Sequence, residues 1–112
     1  MKLVTAIIQP EMLETVQKAL IRHGVGGMTI SEVSGYGSQR GHVEVYRGEE
    51  YTIDFITKVR LEILCADEDA EALTGVIVQA AQTGHVGDGK VWTVPVDDIV
   101  RIRTGENGTT AI

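Results

Sequence analysis

The chain has 112 residues, of which 43% are hydrophobic and 23% are charged. This size and this balance are typical of one folded domain, and they exclude a fibre or a disordered chain. The formal net charge of −6 argues against general binding to nucleic acids or to anionic membranes, and the aromatic content of 4% argues against RNA recognition by base stacking.

The first half of the chain is predicted to form strand, helix and strand. Residues 3–8 are an apolar, β-branched run that ends at Pro10, which predicts a buried strand. In residues 11–23 apolar side chains recur at spacings of three and four, which predicts an amphipathic helix with Gly24 as its C-cap. A second strand is predicted over residues 28–33.

The second half repeats this order. Residues 57–65 alternate, with apolar side chains on one face and the charged Lys58, Arg60 and Glu62 on the other. Asp67 or Asp69 is predicted to cap a helix that runs to about residue 82. The apolar stripe of that helix comprises Ala70, Leu73, Ile77 and Ala80. A strand over 91–96 and a short extra strand over 100–103 complete the prediction.

Two strand–helix–strand units favour an α+β fold, a ferredoxin-like βαββαβ sandwich in which both helices cover one face of an antiparallel sheet. Residues 1–112 are then a single domain, with a long loop at about 37–55 between strands 2 and 3. Loops of this length are uncommon and usually functional or disordered. A tolerated surface insertion and an extended β-hairpin both remain open for this segment.

The chain is expected to be cytoplasmic. No apolar run approaches the ~20 residues of a membrane span, and the N-terminus shows no signal-peptide pattern. The one cysteine, Cys65, cannot form an internal disulfide, and its apolar surroundings predict a core residue rather than a nucleophile.

The segment 84–90, with the sequence GHVGDGK, has the spacing of a Walker A motif as far as Lys90. Val91 stands where a hydroxyl should bind magnesium, and a strand follows instead of a helix, so the segment is not a P-loop. Three glycines and a lysine nevertheless suit an anion, because backbone N–H groups can approach it closely. A glycine-rich turn between helix and strand fits the same pattern.

Three more cations are candidates for anion binding. If residues 100–103 are extended, Arg101 and Arg103 share one face while Val100 and Ile102 face inward, and the two guanidinium groups form a fork for phosphate or carboxylate. A solvated edge strand is the alternative. Lys58 lies at the foot of the long loop, where it either receives a carboxylate ligand or is simply exposed.

Three separated motifs carry a family likeness. Residues 46–51 read YRGEEY, residues 83–90 read TGHVGDGK, and residues 101–106 read RIRTGE. They are similar, in the same order, to the YRGAEY, TGxxGDGK and RIRTGE motifs of the PII nitrogen-regulatory signal proteins. The likeness covers essentially the whole chain.

This resemblance implies a homotrimer of ferredoxin-like subunits with ATP or ADP bound in the clefts between neighbours. The glycine-rich segment would cradle the phosphates, and Arg101 and Arg103 would reach the same nucleotide from the adjacent subunit. The nucleotide-binding residues implied in this way are Thr29, Gly35, Gly37, Ser38, Glu62, Leu64, Gly87, Asp88, Gly89, Lys90, Arg101 and Arg103.

The resemblance further implies Mg²⁺ and 2-oxoglutarate as regulatory ligands. Gln39 would ligate the Mg²⁺ that links ATP to 2-oxoglutarate, and Lys58 would pair with a carboxylate of the keto acid. The 2-oxoglutarate site would comprise Gln39, Gly41, Lys58 and Gly87. Because Gln39 and Lys58 stand at the roots of the long loop, ligand binding is expected to select its conformation.

The long loop would be the effector arm. Its partners in such proteins include an ammonium transporter, a nucleotidylyltransferase and other proteins of nitrogen metabolism. Tyr51 resembles the residue that is uridylylated or adenylylated, and Arg47 the residue that enters an ammonium channel. These likenesses predict a signal transducer rather than an enzyme.

Four positions depart from the family pattern. Ser38 stands where arginine is usual, Gln9 where lysine is common, Gln82 where arginine is common, and Asn107 where a charged residue is usual. A charge-assisted contact contributes about 1.5–3 kcal/mol, so its loss at position 38 is expected to weaken the preference for ATP over ADP.

Two other functions remain open from the residues alone. A ferredoxin-like phosphate-transfer enzyme would use Arg101 or Arg103 together with a histidine such as His85. A trimeric metal-handling protein would have a similar shape, although the sequence shows no histidine or cysteine cluster at metal-ligand spacing.

Overall fold

A computed structural model of the chain describes residues 1–36, 43–46, 49–52 and 55–112, with the backbone alone described at 43–46 and 49–52. The helices and strands, in chain order, are β1 (Lys2–Ile8), α1 (Leu13–His23), β2 (Thr29–Gly35), β3 (Val43–Tyr46), β4 (Glu49–Thr52), β5 (Ile56–Cys65), α2 (Ala70–Ala81) and β6 (Gly89–Pro95). No helix among these described residues is long and apolar enough to cross a bilayer.

Four strands form the main sheet, in the order β2-β5-β1-β6, and every neighbouring pair is antiparallel. Helices α1 and α2 pack side by side against the sheet. This topology confirms the predicted ferredoxin-like α+β fold. Strands β3 and β4 pair with each other in a separate two-stranded ribbon, so the β-hairpin considered for the long segment is confirmed for its described part.

The core lies between the sheet and the two helices. It follows the predicted alternation, because Val59, Leu61 and Ile63 of β5 are buried and the intervening charged side chains point to the opposite face. The apolar stripe of α2 is also confirmed, with one correction: Ala81 is buried in the core, whereas Ala80 is only partly buried. Each large aliphatic side chain buried in this way stabilises the fold by about 1.5–3 kcal/mol.

The two helices begin and end differently. Gly24, at a φ of 108°, ends α1 as predicted, and its N–H donates to the carbonyl of Ile21 at 3.0 Å. The predicted aspartate cap of α2 is wrong, since Asp69 occupies the N-cap position without a side-chain capping hydrogen bond. A 3₁₀ turn over Asp67–Asp69 leads into the helix instead, and the carboxylate of Asp67 accepts a hydrogen bond from the Met1 ammonium at 2.8 Å.

The predicted strand over residues 100–103 is also wrong. Val100 forms an isolated antiparallel bridge with Asn107, and the residues between them make a tight turn. The N–H of Gly105 donates to the carbonyl of Arg101 at 2.8 Å, and a φ of 71° at Gly105 allows the chain to close there. As a result Ile102 is 100% exposed rather than facing inward.

Candidate functional site

The described candidate residues of β2 and β5 lie towards the two ends of these paired strands. At one end of β2, Thr29 pairs with Glu62 of β5, and at the other end Gly35 pairs with Ile56. Six residue-to-residue steps of extended chain join Thr29 to Gly35, which corresponds to about 20 Å at the rise of a strand. Apart from Arg101 and Arg103, the described candidate residues fall into two groups, and each group lines its own cavity.

The glycine-loop cavity has a volume of about 430 Å³ and lies where β2 ends and β6 begins. It brings together six of the predicted site residues: Gly35, Lys58, Gly87, Asp88, Gly89 and Lys90. His85 and the aromatic side chains of Tyr36 and Trp92 complete much of its wall. Two lysines in one cavity make it suited to an anionic ligand.

The glycines of this loop are required by its backbone. Gly84, Gly87 and Gly89 have φ values of 87°, 100° and 110°, a region that other residues rarely adopt. At Gly89 a Cβ atom would lie 1.7 Å from the carbonyl oxygen of Ile7, because β6 begins there directly against β1. A side chain at position 89 would therefore force the backbone of β1 or β6 to shift, whatever the loop binds.

Asp88 holds the loop together. One oxygen of its carboxylate accepts hydrogen bonds from the N–H groups of Thr83 at 2.8 Å and Gly84 at 3.0 Å. The other oxygen accepts one from the Thr83 hydroxyl. These hydrogen bonds lower the pKa of the Asp88 carboxyl, and the hydrogen bond from the Thr83 hydroxyl has the largest effect.

Lys58 is buried, with 8% of its surface exposed, so the alternative of a simply exposed lysine is wrong. Its Nζ atom donates to the carbonyl oxygen of Gly87 at 2.6 Å. Burial lowers the pKa of Lys58, while the carboxylates of Glu11 and Asp88 act in the opposite direction. The contact joins the β5 lysine directly to the glycine-rich loop.

The second cavity, which we call the C-terminal cavity, has a volume of about 940 Å³. It is lined by Thr29, Glu62 and Leu64, together with residues 23–28 and residues close to the end of the chain. Leu64 is 41% exposed and offers an apolar surface there. An Nε–Oε1 ion pair at 3.3 Å joins Glu62 to Arg60, its neighbour on the same sheet face.

The two arginines belong to this second end of the molecule. The guanidinium group of Arg101 donates to the carbonyl oxygens of Thr110 at 3.2 Å and Ile112 at 3.1 Å, and its Nη1 lies 3.5 Å from Glu106 Oε1. Ile112 in turn lines the C-terminal cavity. Arg103 lies in the exposed turn that follows Arg101.

Several predicted functional residues lie outside the described part of the chain: Gly37, Ser38, Gln39, Gly41 and Arg47. Tyr51 lies on β4, and its side chain is likewise outside what the structure describes. Among the residues that are described, no group of three histidine, cysteine, aspartate or glutamate side chains could hold a metal ion. Cys65 is buried, as predicted for a core residue, and burial raises the pKa of its thiol.

Sequence reasoning missed part of each cavity. Trp92 lies two residues after Lys90 on β6, so the period of a strand places both side chains on the same sheet face. Ile7 pairs with Lys90 in the register of β1 and β6, which only the structure reveals. For the C-terminal cavity, no pattern in residues 109–112 indicated that they would line it.

Comparison with known proteins identifies the family of the chain. The family model described as Nitrogen regulatory protein P-II matches residues 1–106. Three proteins named Nitrogen regulatory protein P-II align over 100% of this chain and of their own: those of Rhizobium meliloti (strain 1021) at 50% identity, Synechocystis sp. at 49% and Azospirillum brasilense at 48%. The chain therefore belongs to the nitrogen regulatory protein P-II family.

Proposed function

We propose that this regulatory protein is a homotrimer that binds ATP or ADP between neighbouring protomers. The observation that carries the proposal is that the predicted nucleotide-binding residues of β2, β5 and the glycine loop line two cavities towards opposite ends of one sheet. A nucleotide held in either cavity of one protomer would contact only one of the two groups, whose ends of β2 are about 20 Å apart. A head-to-tail contact between copies, closed into a ring, would bring the glycine-loop cavity of one protomer against the C-terminal cavity of the next.

Within this shared site each cavity has a distinct task. Backbone N–H groups of the glycine loop and the ammonium of Lys90 would bind the phosphates. The C-terminal cavity of the neighbour offers Leu64 as an apolar surface for the adenine, and Thr29 and Glu62 as hydrogen-bonding groups for the nucleoside. Arg101 and Arg103 of that neighbour would complete the phosphate site as charge-assisted donors.

The same site would bind 2-oxoglutarate when ATP and Mg²⁺ are present. Lys58, on the wall of the glycine-loop cavity, would pair with a carboxylate of the keto acid. Mg²⁺ prefers oxygen ligands, so the amide oxygen of Gln39, together with phosphate oxygens, is suited to hold it. When bound, the metal supplies the positive charge that allows two anionic ligands to share one site, so ATP and 2-oxoglutarate are expected to bind with positive cooperativity.

The output would be a contact made by the segment 37–55, which includes the separate β3–β4 ribbon. Its proposed partners are an ammonium transporter, a nucleotidylyltransferase or another protein of nitrogen metabolism, and Tyr51 would be the site of uridylylation or adenylylation. The protein would act in the cytoplasm by binding rather than by catalysis. Lys58 connects ligand binding to this segment, since it lies close to the point where β5 begins.

Titration calorimetry with 2-oxoglutarate, in the presence and absence of MgATP, tests this function. We expect 2-oxoglutarate to bind only with MgATP present, and a solution mass of three protomers. Binding of 2-oxoglutarate that is equally tight without nucleotide contradicts the shared site, as does a monomeric mass. Steady ATP hydrolysis abolished by His85→Ala would instead favour a phosphate-transfer enzyme, and metal binding without nucleotide would favour a metal-handling protein.

A further inference from the structure

The side chain of Asp88 faces its own loop. Both carboxylate oxygens are occupied by Thr83 and Gly84, through two backbone N–H groups and one hydroxyl. The Thr83 hydroxyl oxygen also accepts a hydrogen bond from the N–H of His85 at 3.2 Å. This set of contacts, which we call the Asp88 clamp, joins the first residues of the loop to its last turn.

The clamp also fixes the group that contacts Lys58. The carbonyl of Gly87 belongs to the peptide plane between Gly87 and Asp88, so anchoring the Asp88 side chain limits the rotation of that plane. Gly87 itself has a φ of 100° and no side chain to restrict it. The 2.6 Å hydrogen bond from Lys58 Nζ to this carbonyl therefore depends on an orientation that Asp88 sets from the next residue.

We propose that Asp88 is a positioning residue: its carboxylate holds the glycine loop and the Lys58 ammonium in the arrangement that binds anions, and this carboxylate does not itself contact the nucleotide or the metal. This inference rests on the proposed function, because the loop is taken to bind the phosphate chain of ATP or ADP and Lys58 a carboxylate of 2-oxoglutarate. It assigns Asp88 a different role from that of Lys90, its neighbour in the same cavity.

Replacement by asparagine separates positioning from direct contact. In Asp88→Asn the amide oxygen of the new side chain would accept both backbone N–H groups, and its NH₂ group would donate to the Thr83 hydroxyl oxygen, so every contact of the clamp survives without the charge. A carboxylate that bound Mg²⁺ or a ligand hydroxyl directly would lose most of its effect in the same variant. Alanine at position 88 removes the clamp altogether.

Calorimetry with MgATP and with ADP then gives distinct expectations. The nucleotide affinity of Asp88→Asn should lie within about threefold of the wild-type affinity. Asp88→Ala should bind the nucleotide at least about tenfold more weakly, because its loop must be ordered on binding. Thr83→Val should weaken nucleotide binding by less than Asp88→Ala does. In the double variant, Thr83→Val should add little to the loss caused by Asp88→Ala, because both substitutions act on one set of contacts. Glu71→Ala, which removes an exposed carboxylate from α2, is the matched control. If Asp88→Asn binds as weakly as Asp88→Ala, the positioning role is wrong.

Amide hydrogen exchange tests the clamp without any nucleotide. The N–H groups of Thr83 and Gly84 should exchange faster in Asp88→Ala than in the wild type, Asp88→Asn or Glu71→Ala, while the amides of β1 keep their protection. Equal exchange at both loop amides in all four proteins overturns the inference even if MgATP binds. A wild-type protein that binds neither MgATP nor ADP contradicts the proposed function, and the exchange comparison still decides whether the clamp exists.

Discussion

Replacing Lys58 tests how an anion is recognised in the glycine-loop cavity. Lys58→Met keeps a long apolar side chain in the buried position and removes the ammonium that lies 2.6 Å from the Gly87 carbonyl. A charge-assisted hydrogen bond to a carboxylate contributes about 1.5–3 kcal/mol, which corresponds to roughly 10- to 150-fold in affinity. We expect the affinity for 2-oxoglutarate, measured by calorimetry at saturating MgATP, to fall by this factor.

The affinity for MgATP alone should change far less, because its phosphates are assigned to the loop backbone and to Lys90. Lys18→Met is the matched control, since Lys18 is an exposed lysine on α1 that pairs with Glu14 at 2.7 Å. Wild-type affinity for 2-oxoglutarate in Lys58→Met would refute the proposed carboxylate contact. Equal losses for MgATP and 2-oxoglutarate would show that the lysine supports the whole loop.

The pH dependence of the same titration follows from the burial of Lys58. Burial lowers its pKa from the ordinary value of 10.5, so the ammonium is lost at a lower pH than in an exposed lysine. Affinity for 2-oxoglutarate should therefore decline as pH rises through the folded-state pKa, before 10.5 is reached. For stability the sign is opposite: the buried charge costs stability below the folded-state pKa, and that cost is relieved as pH rises through it towards the unfolded value.

Three further outcomes are expected. Gly89→Ala should lower the free energy of unfolding by at least about 3 kcal/mol in urea denaturation, because its Cβ would meet the Ile7 carbonyl at a positive φ. Gly75→Ala has open space around its Cβ and should be neutral or stabilising. Equal stabilities of the two variants would contradict the close approach at Gly89. Hydrogen bonds hold the pKa of Asp88 below 3.8, so the Asp88 clamp should persist at pH 3.8 and above and should open as pH falls through the folded-state pKa. The amide chemical shifts of the loop can follow this opening. Loop amide shifts that already titrate above pH 3.8 would contradict the expectation. The fluorescence of Trp92, the one tryptophan of the chain and part of the glycine-loop cavity, should change on addition of MgATP, and an unchanged spectrum at saturation would place the phosphates elsewhere.

The sheet and its two faces could be predicted from the sequence because they follow local periodicity. The alternation in β5 separates Val59, Leu61 and Ile63 from the charged positions between them, and it places Lys58 and Glu62 on one face. The same rule failed at residues 100–103, where valine, arginine, isoleucine and arginine also alternate. There the backbone hydrogen bonds around Gly105 close a turn, and no neighbouring strand provides an extended partner for Arg101 among the described residues.

The arrangement of the candidate site depended on contacts that motifs do not record. The TGHVGDGK motif located the glycine loop, but the role of Asp88 follows from side-chain hydrogen bonds to the backbone four and five residues earlier. Lys58 looked like a surface lysine by residue type, and its burial depends on how the loop packs over β5. The register of β2 and β5 is needed to see that Thr29 lies beside Glu62 at one end of the strand pair, whereas Gly35 lies beside Ile56 at the other end.

The most direct test of the shared site combines two defective proteins. Lys90→Ala removes a cation from the glycine-loop cavity, and Arg101→Ala removes one from the other end of the protomer. If every site joins opposite ends of neighbouring protomers, each mixed trimer contains one junction in which both ends are intact. Trimers of either variant alone should bind MgATP weakly.

We therefore predict that co-refolding equal amounts of the two variants restores sites of wild-type affinity at about a quarter of the wild-type capacity, the proportion that random mixing in a cyclic trimer gives. Native mass spectrometry would establish that mixed trimers are present, and MgATP titration would count the restored sites. Mixed trimers that recover no tight site would contradict the account, because a nucleotide site built within one protomer cannot be repaired by a neighbour.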